Sequence, residues 1–217
     1  MSISSTEKIR QKKQRFLDRE QLIINTALDL MIDKGIERVT VAEIARQSGI
    51  GKGTIYKHFE SKSEIMMRIM IDYEKSTAAN LRRGIHATDN GNPGAVVKAY
   101  FESRLANPAL DRLVQQLEIR LQEEPSVVGQ MEQLLEIRRA SVADLSNMVR
   151  KLIDAGVLED VPPHYHYLAC WALAQGAVDV CFNRGLADDC DDKDGLLRFI
   201  TNIGVTMGNR GQLRGPL

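Results

Sequence analysis

Residues 40–64, TVAEIARQSGIGKGTIYKHFESKSE, constrain this chain more than any other stretch. Thr40 and Glu43 stand at the spacing of a capping box, in which a hydroxyl and a carboxylate satisfy free amides at a helix start. Ala42, Ile44 and Ala45 supply a small apolar face behind it. Ser48-Gly49 ends that helix, because glycine takes the left-handed conformation that a chain reversal needs. A second helix is expected over 52–59, with Ile55 and Phe59 four apart on one buried face. At about 100° per residue, Gly53, Thr54, Tyr56 and Lys57 point elsewhere and His58 sits near the boundary. A face made of a gap, a hydroxyl, a phenol and an ammonium suits a DNA major groove. Glycine allows close approach, while Tyr56, Lys57 and His58 reach phosphates or base edges. Ser61 and Glu64 repeat the capping box and open the next helix.

Upstream, a first helix is expected over 19–34, with Asp18 and Gln21 as its cap and Gly35 as its stop. Ile24, Ala27, Leu28 and Met31 lie at i, i+3, i+4 and i+7, an amphipathic stripe that braces the pair behind it. Residues 1–17 read as a polar basic arm carrying Lys8, Arg10, Lys12, Lys13 and Arg15. It is expected to be flexible and solvated, and to touch phosphates or a minor groove when it orders on DNA. Net charge is zero over 217 residues, but it is unevenly spread. Residues 1–62 hold 12 Lys and Arg against 8 Asp and Glu, while the remainder holds 17 against 21. A basic head on an acidic body presents one end to nucleic acid.

These residues carry a resemblance. The run Thr40-Val41, Ile44-Ala45, Gly49-Ile50-Gly51-Lys52-Gly53-Thr54-Ile55-Tyr56-Lys57-His58-Phe59, Lys62 and Glu64 resembles the DNA-binding signature of TetR-type transcriptional regulators. Ala27-Leu28-Asp29-Leu30 and Lys34-Gly35-Ile36-Glu37-Arg38-Val39-Thr40 resemble the family's entry into that domain. The likeness covers residues 19–66, about a quarter of the chain. It implies that Thr40, Lys52, Gly53, Thr54, Tyr56, Lys57, His58 and Lys62 contact DNA. Gly53 and Lys57 would lie nearest base edges; Thr40, Tyr56, His58 and Lys62 match positions that hold phosphates.

The rest of the chain reads as helices. One is expected over 62–84, with Ile65, Met66, Ile69, Met70 and Tyr73 as its apolar positions, followed by a loop over 87–94. Pro93, Pro108, Pro125 and Pro162 each sit where a helix can begin, with Asn92, Asn107 and Asp160 before three of them as caps. Helices are therefore expected over 93–106, 108–122, 125–155 and 162–184, with Gly156 stopping the third, and a last one over 192–207. The fold class is all-α, about nine helices. A helix-turn-helix head (18–62) precedes a larger helical body for ligand binding and dimerisation (63–208), and a frayed tail (209–217) closes it.

The helices over 162–184 and 192–207 are apolar or small around too much of their circumference for a monomer surface. Leu168, Trp171, Leu173, Ala174, Ala177 and Val178 mark the first; Leu196, Leu197, Ile200, Ile203 and Val205 mark the second. The family resemblance implies a homodimer through these two helices, reading a palindromic operator in double-stranded DNA. It also implies a small-molecule effector in the body that shifts the head between two states. Met70, Tyr73, Phe101, Arg104, Leu117, Arg120 and Trp171 are the pocket candidates, and a buried Arg104 or Arg120 would favour an anionic ligand. The alternative is a DNA-binding adaptor whose body binds a protein partner.

Other chemistries find little support. His164, His166 and Cys170 lack a fourth ligand for a structural zinc. The acidic run Asp188, Asp189, Asp191, Asp192 and Asp194 before Gly195 fails as a calcium loop, since Cys190 and Thr201 would occupy positions that need carboxylates. Aspartates before a helix complement its positive end instead. No phosphate loop, nucleophile elbow or catalytic constellation stands out, so no enzyme, metal or cofactor is expected. Cys170 and Cys181 are too far apart on one helix, about 16 Å of rise, to bond each other. An odd cysteine count, no secretory leader and no membrane-length apolar run fit a cytoplasmic protein.

Overall fold

The computed structural model describes residues 5–187 and 192–211. The acidic positions Asp188, Asp189 and Asp191, Cys190, and the tail beyond residue 211 lie outside the described residues. Among those described the chain is all-α, without a strand. The helices are α1 (Ser5–Lys34), α2 (Val41–Ser48), α3 (Lys52–Ile55), α4 (Lys62–Asp89), α5 (Ala95–Leu105), α6 (Pro108–Leu121), α7 (Val128–Asp154), α8 (Pro163–Phe182) and α9 (Lys193–Thr206). Single turns at Ile36–Arg38, Pro125–Val127 and Arg184–Ala187 punctuate them.

Contacts divide the chain into two compact units. One runs through Ile71 and takes in Leu113–Met131; the other is Asp72–Arg112 with everything from Glu132 onward. The expected boundary at residue 62 is therefore displaced. The first turns of α4, with Ile65, Met66, Met67, Ile69 and Met70 all buried, belong with the head.

In the first unit, α1 is longer than expected. Residues 5–34 contain neither Gly nor Pro and are rich in Lys, Arg, Gln and Leu, all good helix formers. The packed second half nucleates the helix, and adding further turns then costs little. Residues 5–17 of the supposed flexible arm are thus helical. Asp18 is not a cap but accepts a hydrogen bond from the Gln14 amide at 2.8 Å. Ile23, Ile24, Ala27, Leu30 and Met31 form the buried stripe. In α2, Thr40 is the N-cap, Ile44 is buried, Ala42 is exposed, and Gly49 closes the helix at φ 68°.

In the second unit, α4, α5 and α7 share a core of Leu81, Val96, Met148, Val149 and Ile153. Phe101 and Leu105 of α5 meet Ala174, Ala177 and Val178 of α8, with Leu197 and Ile200 of α9 against them. Each large side chain so buried contributes about 1.5–3 kcal/mol. Gly204 of α9 lies against the Phe101 ring, where a Cβ would come within 2.4 Å, so only glycine lets the two helices approach this closely.

The expected loop over 87–94 is shorter, because α4 continues to Asp89. The Thr88 hydroxyl donates to the Gly84 carbonyl and accepts from the Val96 amide at 3.3 Å. It thereby caps α5 in place of Asn92. Asn107 does cap α6, accepting from the Leu110 amide at 3.1 Å. Asp160 caps nothing; Pro162 precedes α8 without a side-chain cap. Asp192 caps α9 by accepting from the Gly195 amide at 2.7 Å. The tail is not frayed over its first residues. Glu159 and Arg210 amides donate to the Gly208 and Val157 carbonyls, and the Gly211 amide reaches the Glu159 carboxylate at 2.6 Å.

Candidate nucleic-acid interface

The segment after Gly49 folds back because Ile50 and Gly51 cannot extend α2 past a left-handed residue. Helix α3 then makes one α-turn, and tighter bonds carry the chain on to Phe59. Lys57 donates to the Thr54 carbonyl at 3.1 Å; His58 and Phe59 both donate to the Ile55 carbonyl at 2.9 Å. The expected helix over 52–59 is thus a regular turn followed by a compressed one. Ile55 and Phe59 are both buried, as the spacing requires. Their burial fixes which side of this short element faces outward.

That outward side holds Lys52, Gly53, Tyr56 and Lys57, all exposed, with Thr54 half-buried beside them. The Lys52 ammonium lies 5.9 Å from the Tyr56 ring centroid, a cation–π pairing at the edge of contact range. A Cβ added at Gly53 would meet nothing within 4 Å. Thr40 is exposed and accepts from the Glu43 amide at 3.2 Å, which leaves its hydroxyl proton for an outside acceptor. The second half of this capping box is not made. The Glu43 carboxylate turns instead to Lys34 at 2.5 Å, whose hydrogen bond holds it below the usual carboxylate range. In the second box Ser61 accepts from the Glu64 amide at 3.2 Å, while the Glu64 carboxylate reaches past the Ser61 amide and accepts from that of Glu60 at 2.6 Å.

The family model described as "Bacterial regulatory proteins, tetR family" matches residues 23–69, the stretch that builds this arrangement. The regulator AcrR of Shigella flexneri is 30% identical over 89 residues, 41% of this chain and 41% of its own length. The regulator TtgR of Pseudomonas putida is 24% identical over 66% of this chain and 71% of its own length. A TetR-family regulatory protein from Rhodococcus RHA1 superposes with a TM-score of 0.67 over 87% of this chain and 96% of its own, at 20% identity. Residues 23–69 form a TetR-type DNA-binding head. That type is a class of DNA-binding transcription regulators, not of enzymes.

Within this TetR-type head two expected DNA contacts turn inward. The His58 side chain is 2% exposed. It stacks on Phe16 with centroids 4.0 Å apart, and its Nδ1 lies 3.8 Å from the Glu20 carboxylate, which Arg68 also meets at 3.0 Å. Buried under α1, His58 has no path to a phosphate. Phe16 escapes sequence reasoning because residues 1–17 read as a flexible arm by composition; its i, i+4 spacing to Glu20, inside the expected helix, is the available signal. Lys62 is the second correction. Its ammonium donates to the Ile36 carbonyl at 2.7 Å and to the Val39 carbonyl at 2.9 Å. It clamps the turn between α1 and α2 to the start of α4. Burial pulls its pKa down, and nearby Glu37 pulls the other way.

The pocket candidates are divided between the two units. Met70 and Leu117 are buried in the first unit. Arg120, in the same unit, is exposed and pairs with Glu37 at 3.4 Å. Tyr73, Phe101 and Arg104 are in the second unit, and Trp171, at 52% exposure, is on its surface. Arg104 is buried, yet its charge is already met. Its Nε and Nη2 donate to Asp111 at 2.5 and 2.8 Å, Nη1 to the Tyr100 hydroxyl at 2.8 Å, and Nη2 to Gln175 at 3.3 Å. The Tyr73 hydroxyl also donates to Asp111. Burial first, and then the Asp111 charge, push that phenol's pKa far up. The anionic-ligand expectation attached to Arg104 and Arg120 is therefore withdrawn. His166 pairs through Nε2 with the Glu159 carbonyl at 3.0 Å, and no metal-binding group of three side chains occurs among the described residues. No described helix is long and apolar enough to cross a membrane.

Proposed function

We propose that this chain is a ligand-responsive transcriptional repressor that binds a palindromic operator as a homodimer in the cytoplasm. A small-molecule inducer releases it. The observation that carries the DNA reading is the outward face of α3, with open space over Gly53. Glycine inside a helix costs about 0.5–1 kcal/mol relative to alanine. Nothing within the protein at that position requires it, so the reason lies with whatever approaches from outside. Gly53 and Lys57 then lie nearest the base edges, with Thr40, Lys52, Thr54 and Tyr56 around them on phosphates and sugars.

The dimer is supported by α8 and α9. Leu168, Trp171, Phe199 and Ile203 all stand in solvent, Phe199 at 62% exposure. Beside them Ala169, Ala172 and Gly176 recur at i, i+3 and i+7 and are exposed too, a low stripe that admits a close helix from a second copy. An inducer works by binding one of two states more tightly. Tyr73, Phe101 and Arg104, all within the second unit, stay as candidates to meet it. The neutralised Arg104–Asp111 pair favours an uncharged one.

Gly53→Ala is the test. Its melting temperature should hold or rise, while affinity for a duplex selected from a random pool falls at least tenfold. Wild-type affinity in that variant would end the assignment of α3 as the reading element.

A further inference from the structure

The first four turns of α1 extend beyond the packed head. Residues 6–19 are exposed except for half-buried Gln11, and even Ile9 stands 69% exposed. Such a segment gains almost nothing from burial, so its composition answers to something else. At 100° per residue, Lys8, Lys12, Arg15 and Arg19 fall within a sector of about 60°, spaced i, i+4, i+7 and i+11. The stripe is about 16 Å long. Glu7 and Asp18 share a different side, and Arg10 and Lys13 point away from the stripe. Among the described residues none of the four stripe cations has an ion-pair partner. Phe16 adjoins this sector and stacks on His58, the residue that follows Tyr56 and Lys57. Glu20 faces the same imidazole at 3.8 Å while bound to Arg68 of α4 at 3.0 Å. The charged stripe is thereby fastened to the recognition turn by the contact of an exposed phenyl ring with a buried imidazole.

We propose that Lys8, Lys12, Arg15 and Arg19 form a second DNA-contacting element, a helical stripe that follows backbone phosphates and reads no bases. The Phe16–His58 contact holds it at the recognition turn. The inference rests on the DNA reading above and extends it to a segment outside the helix-turn-helix. Spread cations on a rigid helix release counterions without sequence preference. They raise affinity for every duplex alike.

The experiment compares three full-length variants with wild type by fluorescence anisotropy on a selected duplex across a potassium chloride series. One is Lys8→Gln/Lys12→Gln/Arg15→Gln; the control is Arg10→Gln/Lys13→Gln. Glutamine keeps helix propensity close to that of Lys and Arg, and far-UV circular dichroism checks it. The stripe variant should lose about 2.7 from the magnitude of its log K against log salt slope per bound protomer. Its ranking of duplex sequences should not change, and the control should keep most of the wild-type slope. Phe16→Ala, which removes no charge, should reduce the slope partway. An unchanged slope in the stripe variant, or an equal drop in the control, overturns the inference. If Gly53→Ala still lowers affinity at least tenfold in that case, the helix-turn-helix reading survives alone. A folded wild type that binds no duplex overturns both.

Discussion

Replacing Lys62 with methionine separates two roles that the sequence cannot. The structure has its ammonium donating to the Ile36 and Val39 carbonyls at 2.7 and 2.9 Å. Hydrogen bonds from a charged group contribute about 1.5–3 kcal/mol each when well buried. Lys62 is half-buried and the Ile36 carbonyl keeps a weak bond from the Val39 amide, so both bonds count at the low end. Methionine retains most of the stem and spares the desolvation of the ammonium, which offsets part of the loss. The net cost is about 2 kcal/mol, roughly a 1 M fall in urea midpoint for a slope near 2 kcal/mol/M. Operator affinity should fall with the loosened turn, but the salt slope should not change, because no phosphate loses a partner. If Lys62→Met leaves the urea midpoint in place and lowers the salt slope by about 0.9 per protomer, the lysine is a phosphate contact and the clamp is refuted.

Asp111→Ala should be severe, about 3–5 kcal/mol, since it strands the Arg104 guanidinium among buried groups. The double variant Arg104→Met/Asp111→Leu should recover most of that in a chemical denaturation series; equal losses in both would mean the pair is not the source. Burial pushes the Cys170 thiol up to about 11 from 9.0. In a variant lacking the other two cysteines it should react with a maleimide at pH 8 roughly 100-fold more slowly in the native than in the denatured protein. Because the folded pKa is raised, this thiol's contribution to stability is whole below pH 9 and disappears as pH rises towards 11. Native and denatured rates that match would refute the burial.

Local signals carried most of the fold. Capping boxes, glycine stops and prolines act within three or four residues, so Thr40, Ser61, Gly49, Asn107 and Pro108 could be placed from sequence, and the buried pair Ile55 and Phe59 followed from helical period. What was lost depended on distant chain. Thr88 outcompetes Asn92 as the cap of α5 because it sits on another helix, eight residues back. Composition misread residues 5–17, since exposed charged helix and disordered tail share the same residues and differ only in being joined to a packed helix. The same holds at the site. Side-chain chemistry marks His58 and Lys62 as apt for phosphate, and only the position of α1 and of the turn after it turns both inward.

That inward turn changes the electrostatic demand on the rest of the head. With His58 and Lys62 engaged, the outward face of α3 has two full cations, Lys52 and Lys57, which bring a salt slope of about −2 per protomer. Adding Lys8, Lys12, Arg15 and Arg19 makes six and brings it to about −5 per protomer. The two figures are far enough apart that a single salt titration of the wild-type protein chooses between them. A slope near −2 means that the α3 face acts by itself, and the long exposed start of α1 serves some purpose other than DNA. A slope near −5 requires cations beyond the helix-turn-helix, and the first four turns of α1 are where this head presents them as one face.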